Sequence, residues 1–353
     1  MSGSSDNGRV TSDLPAEHAA DGAPGSAAGL AALRPRLPSP LVELPDERFA
    51  RRGVRLLLKR DDLIHPDLPG NKWRKLAPNL RAAAESGHRT LLTFGGAYSN
   101  HLRATAAAGR LLGFATVGVV RGDELAGRPL NPSLARCAAD GMRLVFVTRA
   151  TYRRKTEPEV LAALLAEAGG PCFVVPEGGS NAAAAQGCAE LGLELRGMAD
   201  VVGVACGTGG TLAGLAAGLG EGQRAIGFPV LKGGFLGREI ERLQTEAFGG
   251  RRGDWRLDER FHAGGYARST PELDAFADDF TARHGLPLER LYVAKALHGL
   301  TVLTEAGAFA RGTTVAAVVT GAAEPAGRTP AAGSVPTPPL PETGGKPPGP
   351  RPR

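Results

Sequence analysis

Four short segments carry residue types and spacings that could do chemistry. The first is Gly70-Asn71-Lys72-Trp73-Arg74-Lys75, a glycine turn leading into a stretch with helical periodicity. A helix start favours anions and disfavours cations, so an amine at Lys72 should lose its proton more readily than usual and act as a nucleophile or base. The alternative is a solvated basic helix start. The second is Gly95-Gly96-Ala97-Tyr98-Ser99-Asn100-His101. Here backbone N–H groups after a strand could hold an anion, and Ser99 could exchange a proton or simply cap the helix. Asn100 could hydrogen-bond a phenolic oxygen, and His101 reads more readily as a structural histidine than as a catalyst.

The third segment is Cys206-Gly207-Thr208-Gly209-Gly210-Thr211. Its glycines permit left-handed backbone and close approach, and its N–H groups converge as in a phosphate cradle. A tight structural turn is the alternative. A dinucleotide site fits less well, because Leu212 stands where a third glycine belongs and strand Arg224–Val230 ends without a ribose-binding acid. The fourth is a pair of tyrosines, Tyr266 and Tyr292, each soon after a glycine or proline turn. They could be proton donors, stacking rings or packing.

The elements that must position these segments alternate between strand and helix. Strands are read at 54–58, 90–94, 115–120, 143–147, 172–175, 200–205, 224–230 and 314–319. Helices are read at 72–85, 99–112, 132–140, 157–168, 183–195, 211–218, 271–284 and around 295–311. Short strands separated by helices mean α/β architecture, with parallel sheets covered by helices on both faces. The glycine turns fall at strand C-terminal ends, where open sheets of this type bind ligands.

Composition narrows the class of protein. Hydrophobic residues make up 42% of the chain, enough for a large core. Residues 1–35 and 322–353 are rich in small residues and proline and are expected to remain unfolded tails. The net charge of +6 comes without a basic helix or aromatic-interleaved stripe, which argues against nucleic acid and suits a phosphorylated cofactor or anionic substrate. Cys137, Cys172, Cys188 and Cys206 have no C-x-x-C spacing, so neither a disulfide framework nor a zinc site is expected. No apolar leader and no run long enough to span a bilayer is seen, which leads to the expectation of a soluble cytoplasmic protein. Leu340-Pro341-Glu342-Thr343-Gly344 matches a cell-wall sorting pattern but lacks the hydrophobic segment that such a signal needs, and is read as chance.

Taken in order, Gly70-Asn71-Lys72-x-x-Lys75, Ser99-Asn100-His101, Glu177-Gly178-Gly179-Ser180-Asn181, Gly207–Thr211, Tyr266 and Tyr292 resemble the 1-aminocyclopropane-1-carboxylate (ACC) deaminase / D-cysteine desulfhydrase family over about residues 35–321. The resemblance implies the two-domain pyridoxal-phosphate (PLP) fold type II, tryptophan-synthase-β-like. A small domain at 77–182 would be inserted into a large one built from 36–76 and 183–321. Lys72 would carry PLP as a Schiff base and return as the base at Cα. Asn100 would meet the PLP phenolic oxygen. Gly207, Thr208, Gly209, Gly210, Thr211 and Lys75 would hold its phosphate, and Thr320 would face its ring nitrogen. Ser99, Asn100 and His101 would hold the substrate carboxylate, with Ser99 assisting catalysis, and Tyr266 and Tyr292 would flank the substrate. A homodimer and a small amino-acid substrate are implied, in a lyase or hydrolase class.

Departures point within the family. ACC deaminases carry Glu directly after the second tyrosine, where this chain has Val293, and Gln after Ser-Asn, where it has His101. A neutral contact from Thr320 suits β-elimination, which needs a weaker electron sink than cyclopropane opening. D-cysteine desulfhydrase-like chemistry is therefore expected, with ACC deamination, racemisation or a catalytically impaired PLP-binding protein as alternatives. Tyr98 also differs from the family's glutamine and would reshape the substrate pocket. After Gly321 the chain departs from the family altogether.

Overall fold

The computed structural model describes residues 24–68 and 70–323. Ten strands form among these residues: β1 Leu41–Glu43, β2 Arg55–Lys59, β3 Thr90–Gly95, β4 Ala115–Arg121, β5 Met142–Val147, β6 Phe173–Val175, β7 Val201–Cys206, β8 Arg224–Pro229, β9 Asp254–Leu257 and β10 Thr314–Val318. They make two sheets, a six-stranded one in the order β1-β2-β10-β7-β8-β9 and a four-stranded one in the order β5-β4-β3-β6. Every pairing is parallel except β1 with β2. All four strands of the smaller sheet fall within 77–182. No helix among the described residues is long and apolar enough to cross a membrane.

Strand alternation shows why the larger sheet needs helices on both sides. Leu56, Leu58, Val315 and Ala317 face one apolar cluster with Leu297 and Leu300 of the Val293–Glu305 helix and Phe280 of the Pro271–His284 helix. Leu57, Ala316 and Val318 face the opposite cluster. It includes Leu191 of the Ala182–Glu194 helix, Leu215 of the Gly210–Gly218 helix, and Ile240 and Leu243 of the Leu236–Phe248 helix. The four cysteines are free and buried.

The N-terminal tail expectation needs correcting for its last third. Residues 27–32 form a helix capped by Ser26, whose hydroxyl accepts from Gly29 N–H at 3.1 Å. Leu30 of that helix is buried with Leu80, Leu91 and Phe114. A composition poor in large apolar residues does not reveal that one leucine finds a ready-made apolar site elsewhere in the chain. Residues 1–23 and 324–353, the latter with Leu340–Gly344, lie outside the described residues.

Candidate active site

Lys72 opens the Lys72–Glu85 helix, and its place is fixed by the end of β10. Gly70 has φ +64°, and a Cβ there would fall 1.7 Å from the carbonyl oxygen of Thr320. Only glycine fits. The next amide, Asn71 N–H, donates to that same carbonyl at 3.0 Å. Asn71 then spans the site. Its Nδ2 donates to Thr211 Oγ1 at 2.9 Å, and its Oδ1 accepts from Lys72 Nζ at 3.2 Å. Burial, followed by the neighbouring Lys75 ammonium, pulls the Lys72 amine down to about 7. A substantial share is therefore unprotonated and nucleophilic at neutral pH.

Two residues further on, Arg74 anchors the helix from behind. Its guanidinium, fully buried, forks onto Asp61 (2.9 and 2.9 Å) and Glu194 (2.9 and 2.9 Å), while Lys59 bridges Glu194 at 2.6 Å. Removing one partner of such a buried network typically costs ~3–5 kcal/mol, so the start of the helix is held stiffly.

Lys75 sits one turn after Lys72 and faces the glycine turn. Its amine donates to Gly178 O (3.2 Å) and Ser180 Oγ (3.0 Å), and Ser180 Oγ lies 2.5 Å from Thr208 Oγ1. Gly209 has φ +81° and leads without any side-chain cap into the Gly210–Gly218 helix, whose first N–H groups are left for a ligand. Side chains here would close the space. A Cβ at Gly210 would sit 2.6 Å from Ser180 Oγ and 3.4 Å from Lys75 Nζ, and one at Gly178 would sit 2.6 Å from Thr208 Oγ1. Three hydroxyls, a lysine amine and a helix start thus converge where a phosphate monoester fits.

Ser99 caps the Asn100–Leu112 helix, accepting from Leu102 N–H at 3.2 Å. The structural reading of Ser99 therefore has a bond behind it, and any part in catalysis would be additional. Asn100 begins that helix, partly exposed. His101 is buried, and its ring is oriented from below. Thr93 donates its hydroxyl proton to Val175 O (2.8 Å), so the hydroxyl oxygen accepts from His101 Nε2–H (2.8 Å). Nδ1 is then a bare acceptor, buried with no partner among the described residues. Burial and then Lys72 and Lys75 hold the ring well below the ordinary histidine range, and therefore neutral. An acceptor lone pair repels a carboxylate. With its one ring N–H engaged by Thr93, the His101 imidazole offers no donor for the carboxylate contact expected of it. The ring approaches the rest of the site through Gly179, where a Cβ would lie 3.0 Å from His101 Cε1 and 3.6 Å from Lys75 Cβ.

Tyr266 and Tyr292 meet edge to face, with ring centroids 6.3 Å apart. Tyr292 packs on the cradle, since a Cβ at Gly207 would lie 3.3 Å from its ring. Burial raises the pKa of both phenols, so they stand as proton-bearing hydroxyls at neutral pH. Val293 is buried in the apolar cluster that faces the Val293–Glu305 helix, and Tyr98 is exposed. Thr320 contributes its carbonyl, as above.

Two charged residues here escaped the sequence reading. Glu289 accepts from the N–H groups of Leu291 (2.8 Å), Tyr292 (2.8 Å) and Val293 (3.3 Å), capping the helix that follows Tyr292. Lys295, fully buried, donates to the carbonyls of His262 and Gly265, both at 2.9 Å. A glutamate three residues before a tyrosine at a helix start was the available signal for the first. Nothing local marks the second.

A depressed lysine amine and a phosphate-shaped cradle one helical turn away suit a phosphorylated aldehyde cofactor that Lys72 can hold covalently. The chain belongs to the pyridoxal-phosphate-dependent enzyme family, whose model matches residues 32–321. It is 31% identical over 264 residues, 70% of this chain and 83% of the other, to a Thermotoga maritima protein named "Putative 1-aminocyclopropane-1-carboxylate deaminase". It is similar in structure to a crystallised ACC deaminase homologue (28% identity, TM-score 0.69, 83% of this chain and 93% of that one). Cysteine synthase from Entamoeba histolytica shares the fold (17% identity, TM-score 0.60, 90% and 91% covered). The protein is therefore a PLP-dependent enzyme of fold type II, related to ACC deaminases. The hydrolase half of the expected lyase or hydrolase class finds no support in these relatives.

Proposed function

We propose that this enzyme is a PLP-dependent lyase that removes a β-substituent from a small amino acid, in the manner of a D-cysteine desulfhydrase, consuming one water and releasing a keto acid, ammonia and sulfide. The observation that carries the reading is Lys72, an amine brought to about 7 and held by Asn71 beside the cradle. PLP, when bound, supplies an electron sink for charge developing at the substrate Cα. Lys72 would hold it covalently, and Lys75, Gly207–Thr211 and Ser180 would hold its phosphate, with Asn100 at its phenolic oxygen. Lys72 Nζ takes the Cα proton. The backbone N–H groups around Ser99 and Asn100 hold the substrate carboxylate, and Tyr266 and Tyr292 bound the side-chain pocket, their protonated hydroxyls available to a departing group. The cleft would lie between a domain of residues 77–182 and one of 36–76 and 183–321, in a cytoplasmic homodimer.

Val293 supports elimination over ring opening. The position that carries glutamate in ACC deaminases is here buried among apolar side chains, and the carboxylate of Glu289 is already engaged by three backbone N–H groups. The T. maritima relative's name favours ACC as the rival substrate. Borohydride reduction of the PLP-loaded protein should fix the cofactor on Lys72, and Lys72→Ala should lower turnover by ~10²–10⁴-fold, as expected for loss of a positioned base. A panel of D-cysteine, L-cysteine and ACC decides the substrate. Sulfide from D-cysteine is the expected result, and turnover of ACC alone would overturn the assignment.

A further inference from the structure

Lys295 lies in the first turn of the Val293–Glu305 helix with no exposed surface. A buried ammonium is costly and is normally compensated by a carboxylate. Among the described residues, no carboxylate lies within ion-pair distance of Lys295; the amine is spent on the carbonyls of His262 and Gly265. Burial draws that amine down to about 8.

The loop so gripped is itself conformationally expensive. Ala263 (φ +50°), Gly264 (+87°), Gly265 (+121°) and Ala267 (+54°) all lie at positive φ. For the two alanines this left-handed backbone is a penalty that surrounding structure must impose. Between them the loop presents Tyr266, which meets Tyr292, and Tyr292 in turn lies against Gly207 of the cradle. Glu289 fixes the backbone of Tyr292 at the head of the same helix. Both tyrosines are thus tied to one helix start, one through a carboxylate cap and the other through a lysine.

We propose that Lys295 is a positioning residue: its two carbonyl bonds latch the left-handed loop 262–267 and so set Tyr266 against Tyr292 at the active site. The inference rests on the proposed role of Tyr266 beside the substrate. It predicts that Lys295 acts on the reaction only through that ring.

The PLP-loaded enzyme tests it in Lys295→Met, which keeps the buried stem and removes the donors. Amide exchange of the 262–267 segment should quicken by about tenfold or more while the rest of the chain stays protected. KM for the best amino-acid substrate should rise by about tenfold, and Lys295→Met combined with Tyr266→Ala, which removes the ring, should be no worse than the more impaired single variant, the signature of two residues acting as one unit. Ala263→Gly with Ala267→Gly, added to Lys295→Met, should recover part of the loss, because glycine adopts this backbone without a latch. Unchanged exchange in the loop, or kinetic losses that multiply, would overturn the proposal. If Lys295→Met does not yield folded protein, Lys295→Gln, with a shorter donor, enters the same assays. Should the parent enzyme turn over no amino acid, the proposed function fails, while the exchange measurement still decides whether the lysine holds the loop.

Discussion

The site is built at its two ends from the same residue type used in opposite ways. At the cradle, Lys75 shares its amine between one carbonyl and a hydroxyl, beside an uncapped helix start that adds its own N–H donors. At the tyrosine end, Lys295 commits its amine to two carbonyls of one loop. The first arrangement leaves attraction over for an incoming anion. The second spends it on backbone. Burial of a lysine therefore says little about ligand binding by itself. What decides is whether its partners are ligand-like and the space beside them is kept open by glycine.

The contrast can be broken most forcefully at Gly210. Gly210→Ala puts a methyl where the phosphate would lie, and PLP affinity should fall by ~100-fold, or about 2.7 kcal/mol. Spectrophotometric titration with PLP checks this, and retained affinity would show that the turn is merely structural. A smaller effect concerns charge. In protein free of cofactor, acylation of Lys72 should reach half its limiting rate near pH 7 instead of above 10. Lys75→Met removes a neighbouring positive charge, so the midpoint should move upward. Peptide mapping of labelled protein across pH reads both, and a downward shift would contradict the like-charge account. The smallest effect expected is at Ser99. Ser99→Ala removes the acceptor of Leu102 N–H and should cost ~1 kcal/mol of unfolding free energy in a urea titration. A loss of turnover beyond about tenfold would show that its hydroxyl also meets the substrate.

The two ends were also unequally legible. The cradle's Gly207–Thr211 turn stands in a short run after a strand, where local sequence suggests an anion site, while Lys75 and Ser180 join it only through the order of motifs that resembles the family. The helices Lys72–Glu85 and Pro271–His284 were read to the residue because apolar spacing and, for the second, a Thr270-Pro271 start mark them. The tyrosine end depends on partners remote in sequence. Lys295 and Gly265 are joined by a loop conformation that two alanines do not advertise. Glu289 passed as one more charged residue after a proline turn.

Omissions elsewhere have similar causes. The Leu236–Phe248 helix buries Leu236, Ile240 and Leu243, a helical spacing that was present but masked by the glycines before it and by many charges. Strands β1 and β9 have three and four residues and lie at the edges of their sheet, too short for alternation to register. For His101 the type was visible but its state was not. Only the hydroxyl of Thr93, itself committed to Val175, shows which nitrogen carries the proton.

The contact between Gly70 and the Thr320 carbonyl has a consequence for how the molecule assembles. Strand β10 lies between β2 and β7, so the larger sheet stays divided until a segment made well after both inserts at its centre. The turn before Lys72 completes its hydrogen bonding with that same segment. Such sequence-distant closure is entropically slow. During synthesis the reactive amine would remain an ordinary surface lysine until β10 has emerged, and it would gain its chemistry only once the fold is topologically closed.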